Sequence, residues 1–564
     1  MIGAASMTGT KKISKNTILT LDFNTALTEK TGNVEISPFD IENTDNPGLW
    51  QTVELIRRAA KDENVKGILL RTSNNPNGIA TLETLRGAIQ EFKNSGKFVY
   101  AYADSYSQSA YYTVSAADSI FINPYGSVDM RGLGIMIAYF KDMLDKIGVK
   151  MEVVYAGDFK SATEPFRRSD MSPENRLQTK EFLNDIFNHI KKQIAKSRNM
   201  TEEELNAIVS EYKGRNAKSS LEAGLVDGIC YWDEIESKLR KKIGFDEDKK
   251  LSYTSLYEYS ILSGVTPSVS TSKNKIAIVY AEGEITQDDK ATKGNINAPT
   301  YLKTFDRIKR DKNIKAVVLR VNSPGGSALT SEVVWREIEN IKSRGIPVIA
   351  SYGNFAASGG YYISCGADHI VSEPNTLTGS IGVFSIFPNA KQLFNDKLGI
   401  HFDTVKTHPL AVALTASYDL TQEEREILQE LTDETYQTFM TRVAEGRKLD
   451  IERVAEIARG RVYSGTKALE LGLVDQIGTL KDAIEVAVDK AGVGEDYRLV
   501  EYPYIKPDMF AELIKAFNLR DEEETMRLRL NKESRKILQF YQRYKSILAT
   551  EGVQASLPFE VIVQ

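Results

Sequence analysis

Two short segments hold residues that could do chemistry together, and they lie far apart in the chain. Ser358 sits among small residues in Ala356-Ala357-Ser358-Gly359-Gly360, at a strand-to-helix junction. A serine so placed can present its Oγ to a substrate, and the helix N-terminus beneath it favours developing negative charge. Lys160 sits in Gly157-Asp158-Phe159-Lys160-Ser161-Ala162-Thr163-Glu164-Pro165-Phe166. A serine hydroxyl becomes a useful nucleophile when a neighbouring base takes its proton, and a neutral lysine can be that base. Lysine starts near ~10.4, so burial or a nearby cation must lower it by about 2–3 units for the task. Phe159 and Phe166 are candidates for the apolar walls. Taken singly, each residue has a plainer reading: Ser358 as a helix N-cap and Lys160 as a solvated loop charge.

An internal duplication joins the two. The stretch Asn354-Phe355-Ala356-Ala357-Ser358-Gly359-Gly360-Tyr361-Tyr362 echoes Asp104-Ser105-Tyr106-Ser107-Gln108-Ser109-Ala110-Tyr111-Tyr112 at an offset of 250 residues (358 − 108). Gln108 stands where the later copy has Ser358. Further on, Gly148-Val149-Lys150-Met151-Glu152 aligns with Gly399-Ile400-His401-Phe402-Asp403 at an offset of 251 (399 − 148). Carried forward, Lys160 falls opposite Ala411. Each half has kept one member of a Ser/Lys pair and lost the other. This reciprocal loss points to one peptide-cleaving site built from two halves, with Lys160 reaching Ser358 across the boundary. The sequence leaves open whether the pair forms within one chain or between two.

Two further elements complete such a site. Asn322-Ser323-Pro324-Gly325-Gly326-Ser327 follows the strand expected from Val317 to Arg320, and its double glycine leaves backbone amides bare. The Gly325 and Gly326 amides, with that of Gly359, could form an oxyanion hole; a plain tight turn is the alternative. The counterpart Ser73-Asn74-Asn75-Pro76-Asn77-Gly78 has lost the double glycine. In Leu377-Thr378-Gly379-Ser380-Ile381-Gly382, Ser380 could hold the lysine amine by a hydrogen bond, or be a turn hydroxyl.

The elements that must position these residues also occur twice. Val65-Lys66-Gly67-Ile68-Leu69-Leu70-Arg71 matches Ile314-Lys315-Ala316-Val317-Val318-Leu319-Arg320, and Gly224-Leu225-Val226-Asp227 matches Gly472-Leu473-Val474-Asp475. Near-constant spacing over such a length argues for two copies of one domain. Short β-branched runs alternate with longer amphipathic stretches, including helical readings over 331–342, 178–197 and 423–444, so each copy is expected to be α/β with partly parallel pairing. The expected division is a first repeat over 1–262, a Ser/Thr/Pro/Gly linker over 263–273, a second repeat over 274–504 and a charged tail over 505–564. In the tail, Ile537, Leu538, Tyr541 and Tyr544 recur at helical spacing, which suits packing on the body of the protein or a role in assembly.

Composition narrows the classes. The 564 residues are 41% hydrophobic and 26% charged, an ordinary globular balance, and a net charge of −5 gives no support to a nucleic-acid partner. Cys230 and Cys365 are too few for a disulfide framework. His189, His369, His401 and His408 are not spaced like a ligand set, so neither metal nor other cofactor is expected. No run of 18 apolar residues occurs, and residues 1–12 lack a signal-peptide core; the expectation is a soluble chain or one cut after a membrane anchor.

Taken together, the Asn322-Ser323-Pro324-Gly325-Gly326, Ala356-Ala357-Ser358-Gly359-Gly360-Tyr361, Leu377-Thr378-Gly379-Ser380-Ile381-Gly382 and Phe159–Phe166 motifs resemble the signal peptide peptidase A family of bacteria, in its long form with two fused repeats. The resemblance implies a fold similar to the Clp protease proteolytic subunit and the crotonases, a superhelix of ββα units, here duplicated in tandem. It implies a serine endopeptidase with Ser358 as nucleophile, Lys160 as general base and Ser380 orienting Lys160. Amides of Gly359 and of the Gly325-Gly326 turn become the oxyanion hole. It further implies cleaved signal peptides and other apolar peptides as substrates, a homo-tetramer as assembly, and attachment to the bacterial inner membrane through an N-terminal anchor, with the catalytic domain on the periplasmic side. Two other readings compete: a crotonase-like thioester enzyme, which usually needs carboxylates that the Gly-rich loops lack, and a catalytically dead scaffold.

Overall fold

The computed structural model describes residues 13–31, 47–263, 271–288, 294–504 and 553–556. Each half is built on a parallel sheet whose strands are apolar almost throughout, as burial on both faces requires. In the first half the strands run, in spatial order, Gly228–Ile229, Ser119–Ile122, Phe98–Ala103, Val65–Leu70, Thr17–Leu21 and Ser252–Ser255. In the second half the matching order is Gln476–Ile477, His369–Ser372, Val348–Ala357, Ile314–Ser323, Lys275–Glu282 and Arg498–Tyr502. Strand for strand the two orders agree, so the duplication is one of architecture as well as sequence.

Amphipathic helices cover the faces. Leu49–Lys61 and Ile79–Lys93 in the first half correspond to Ala298–Arg310 and Ala328–Lys342 in the second. The last begins three residues before the periodicity predicts, because Ser327 Oγ accepts a hydrogen bond from the Thr330 amide and starts the helix there. The long helices Pro173–Arg198 and Gln422–Arg447 enclose the predicted stretches 178–197 and 423–444.

A third sheet crosses between the halves. Lys150–Ala156 of the first half pairs antiparallel with Val383–Asn389 of the second along its whole length. In spatial order this sheet runs Ile296–Asn297, Ile285–Thr286, Gly325–Ser327, Gln554–Ser556, Val383–Asn389, Lys150–Ala156. The halves are also joined by a buried ion pair. Arg320 Nε donates to Glu29 at 2.9 Å, and Nη1 of the same side chain donates to the Tyr352 carbonyl at 2.7 Å. With both charges out of water, the extra hydrogen bonds are what make such a pair tolerable.

The repeat is not obeyed everywhere. Residues 401–407, aligned with the strand Lys150–Ala156, form no strand, and neither do residues 133–139, which sit 250 residues before Val383–Asn389. A strand needs an edge to pair with, and among the described residues these two segments have no facing partner. Ala411, opposite Lys160 in sequence, lies exposed in a turn. No helix among the described residues is long and apolar enough to cross a membrane. Linker residues 264–270, the start of the chain through Lys12, and the tail apart from 553–556, with Ile537, Leu538, Tyr541 and Tyr544, lie outside the described residues.

Candidate active site

The strand Lys150–Ala156 delivers the chain to the second half, and the turn after it carries Lys160. Phe159 N–H donates to the Arg459 carbonyl at 2.8 Å, and Lys160 N–H closes the turn on the Gly157 carbonyl at 3.0 Å. Gln178, buried on the helix Pro173–Arg198, ties the turn down from both sides. Its Nε2 donates to the Phe159 carbonyl at 3.0 Å and to Ser161 Oγ at 3.1 Å, while its Oε1 accepts from the Val462 amide of the second half at 3.1 Å. Gly460 makes the close approach possible. It has φ of +75°, and a Cβ there would stand 2.7 Å from Lys160 Cβ.

So held, Lys160 Nζ lies 2.7 Å from Ser358 Oγ, 3.0 Å from Ser380 Oγ and 3.3 Å from the Ser380 carbonyl oxygen. The pair forms within one chain. Lys160 is 1% exposed, and burial alone drives its pKa well below the ordinary lysine value. Phe159 and Phe166 are both buried, but they pack along the seam: Arg459 and Arg461 lie over the Phe159 ring, and Phe166 packs with Met151, Phe384 and Ile386.

Ser358 sits between the strand Val348–Ala357 and the helix Gly359–Tyr362, with φ of +55° and ψ of −117°. A side chain at positive φ is strained, by about 1–3 kcal/mol, and such strain persists where surrounding structure imposes it. Here Ser358 N–H donates to the Gly379 carbonyl at 2.8 Å, and the Ser358 carbonyl accepts from Tyr362. Its hydroxyl makes no capping bond, which removes the N-cap reading. In the first half the cap is Ser107, whose Oγ accepts from the Ala110 amide. Gln108 there is buried and locked, its Oε1 accepting from the amides of Arg131 and Gly132.

Gly325 and Gly359 meet beside Ser358, while Gly326 lies against the backbone of Ile285. A Cβ on Gly325, which has φ of +102°, would lie 2.7 Å from the Gly359 nitrogen. It would also lie 2.1 Å from the carbonyl oxygen of Ala555, which belongs to the described fragment of the tail. The strand Gln554–Ser556 runs antiparallel to Gly325–Ser327 and touches Val383–Asn389 on its other side, at the Phe384–Gln554 pair. Ser358, Lys160 and Ser380 are all buried in this arrangement.

Four contributors escaped the sequence reading: Gln178, Gly460, Arg459 and Ala555. The glutamine and Val462 are 284 residues apart, and no periodicity links them. For Gly460 a sequence signal existed, since Arg459-Gly460 interrupts an otherwise helical stretch, but nothing tied it to Lys160.

The Peptidase family S49 model matches residues 91–246 and 340–494, one stretch in each repeat. The chain is 35% identical over 494 residues to "Protease 4" of Haemophilus influenzae, covering 86% of this chain and 78% of that protein. It is 30% identical over 495 residues to "Serine protease SPPA, chloroplastic" of Arabidopsis thaliana, covering 86% and 70%. Among solved structures, a 1510-N membrane-bound stomatin-specific protease K138A mutant in complex with a substrate peptide matches 43% of this chain and 98% of its own, at 17% identity and a TM-score of 0.27. The protein is therefore a serine protease, built as two α/β repeats in tandem. Within that class, the chain belongs to peptidase family S49 in its two-repeat, signal peptide peptidase A-like form.

Proposed function

We propose that Ser358 is the nucleophile, Lys160 the general base and Ser380 the positioning residue of an endopeptidase that degrades signal peptides and other apolar peptides left in the membrane after secretion. The observation that carries this reading is the 2.7 Å approach of a fully buried amine to a serine hydroxyl, with a second serine as the amine's other partner. Neutral Lys160 accepts the Ser358 proton as Oγ attacks a peptide carbonyl. Amides of Gly359 and the Gly325-Gly326 turn receive the oxyanion, and the ammonium protonates the leaving amine. Water then hydrolyses the acyl-enzyme with Lys160 again as base. Ser380 Oγ, 3.0 Å from Nζ, keeps the amine aimed at Ser358.

The test is cleavage of a fluorogenic peptide with an apolar P1 residue. Wild type is expected to cleave it, and Ser358→Ala and Lys160→Ala to lose on the order of 10⁴-fold while remaining folded. Full activity in Lys160→Ala would place the base elsewhere.

We place the enzyme at the bacterial inner membrane, facing the periplasm, as the family resemblance implies. We also read it as a ring of identical chains, with four copies the expected number. The support lies in the repeat. Within a chain, Lys150–Ala156 of one half pairs with Val383–Asn389 of the other. Their counterparts, residues 401–407 and 133–139, form no strand in the chain, and Met136 and Val405 on them are fully exposed. The same pairing made between neighbouring chains would be heterologous, the kind of contact from which rings are built.

A further inference from the structure

The two repeats carry an arginine at the same place in the sheet and use it differently. Arg320 lies in Ile314–Ser323, and its match Arg71 directly follows Val65–Leu70. The carboxyl end of a parallel sheet is where such folds bind ligands. In the second half this place is filled from within the chain. Arg320 holds the Glu29 carboxylate, and the Glu29 N–H donates to Glu282 at 2.8 Å. In the first half Arg71 is exposed, its guanidinium 4.4 Å from the centre of the Trp232 ring, and no carboxylate among the described residues pairs with it. A second copy of the chain offers no equivalent of Glu29. Ile18 pairs with Gly67 and Ile276 with Ala316, so the repeats are offset here by 258 residues (276 − 18), and the place of Glu29 falls to Gln287. Asp288 beside it is already held by the Thr286 hydroxyl at 2.6 Å.

Arg71 opens on a cavity of ≈ 620 Å³. Its aromatic side is a run of three rings, Tyr102 to Trp232 at 5.6 Å and Trp232 to Tyr253 at 6.4 Å between centres. Asp22 and Asp104 also line it. Each has one carboxylate oxygen engaged, Asp22 by the Asn24 N–H at 2.9 Å and Asp104 by Asn123 Nδ2 at 3.1 Å, and neither has a cation partner among the described residues. A guanidinium stacked on an indole still presents its N–H edge, which fits a carboxylate with two parallel hydrogen bonds. One cation, two unpaired carboxylates and an apolar wall in a single cavity match a ligand that carries both charges on an apolar body.

We propose that this cavity in the first repeat binds a short apolar peptide with free ends. The C-terminal carboxylate lies on Arg71, the apolar side chains lie against Trp232 and Tyr253, and the amino group faces Asp22 and Asp104. The site shares no residue with the Lys160 turn or with Ser358, and binding there does not depend on their proposed roles. Hydrolysis of a peptide bond creates a carboxylate where there was an amide, so the cavity selects cut peptides over uncut ones.

The test titrates tri-leucine with free ends, and separately its C-terminal amide, into the full chain carrying Ser358→Ala, followed by calorimetry and tryptophan fluorescence. The free acid is expected to saturate at one per chain and to change the fluorescence, with the amide about tenfold weaker. Adding Arg71→Gln should weaken the acid to the level of the amide and leave the amide unchanged. Adding Trp232→Phe should keep the heat and remove the fluorescence change. Equal binding of acid and amide overturns the inference in the unaltered cavity, whatever the variants do. A preference for the acid that survives Arg71→Gln places the peptide elsewhere, the catalytic cleft included, and also overturns it. So does the absence of any heat, or a fall in the light-scattering mass of Arg71→Gln, which would give the cavity to a second copy of the chain.

Discussion

Burying an amine without a carboxylate partner costs folding free energy, and Lys160 bears that cost in every molecule. Its folded pKa lies well below the 10.5 of the free side chain. Between those two values the unfolded chain binds a proton that the folded chain does not, so stability rises with pH across that window. Lys160→Met keeps the length of the side chain and removes the desolvated amine. Its thermal midpoint is expected to exceed that of wild type at neutral pH, by an amount that shrinks as pH approaches 10.5. Differential scanning fluorimetry across that range checks it; a midpoint below wild type at every pH would contradict it. Peptidase activity follows the same titration in the same direction, rising as pH climbs through the lowered pKa and levelling above it. A rate already flat at about pH 6 would exclude Lys160 as the base. The meeting of Lys160 with Ser358 was legible in the sequence because each half retained what the other lost. The strain at Ser358 was not legible, since positive φ at a serine is imposed by the Gly379 carbonyl and by the helix that follows, not by local residue type.

At the scale of elements, the site depends on a turn from one half docking on a loop from the other. Gly460→Ala would drive a methyl group into Lys160 Cβ, and the turn must move to relieve it. A displacement of about 1 Å at a reacting group can cost about 10²-fold, so kcat is expected to fall by that order with KM little changed. Gln178→Ala removes the clamp on the turn without adding bulk, and kcat is expected to fall about tenfold, again with KM held. Steady-state kinetics on the fluorogenic peptide separate these outcomes from general unfolding, which would lower the active fraction without this ordering. The parallel sheets and covering helices followed from apolar runs and periodicity. The crossing sheet did not. Lys150–Ala156 and Val383–Asn389 alternate like any half-buried strands, and nothing in either says that its partner lies in the other repeat. The tail strand was hidden for a similar reason, since Val553-Gln554-Ala555-Ser556 is too short to carry a period.

For the whole molecule, the two unpaired segments make the ring testable. Val405→Pro removes a backbone donor from a residue that is fully exposed in the single chain, so the fold of each copy should be unaffected. Light scattering is expected to show the multi-chain mass fall toward that of one chain. An unchanged mass would assign the assembly to another surface. Activity on a short peptide should persist in the separated chains, because Lys160 and Ser358 belong to the same chain.

That shared chain has a consequence in time. Lys160 precedes Ser358 by 198 residues, and the strand Gln554–Ser556 lies almost 200 residues further on. A ribosome making this protein therefore releases the proposed base long before the proposed nucleophile. A prematurely ended product that stops in the first repeat holds an amine with nothing to activate. On the proposed roles of Lys160 and Ser358, neither repeat made alone is expected to hydrolyse a peptide bond, so the cell is spared an active protease fragment at every stage of synthesis before the second repeat has folded onto the first.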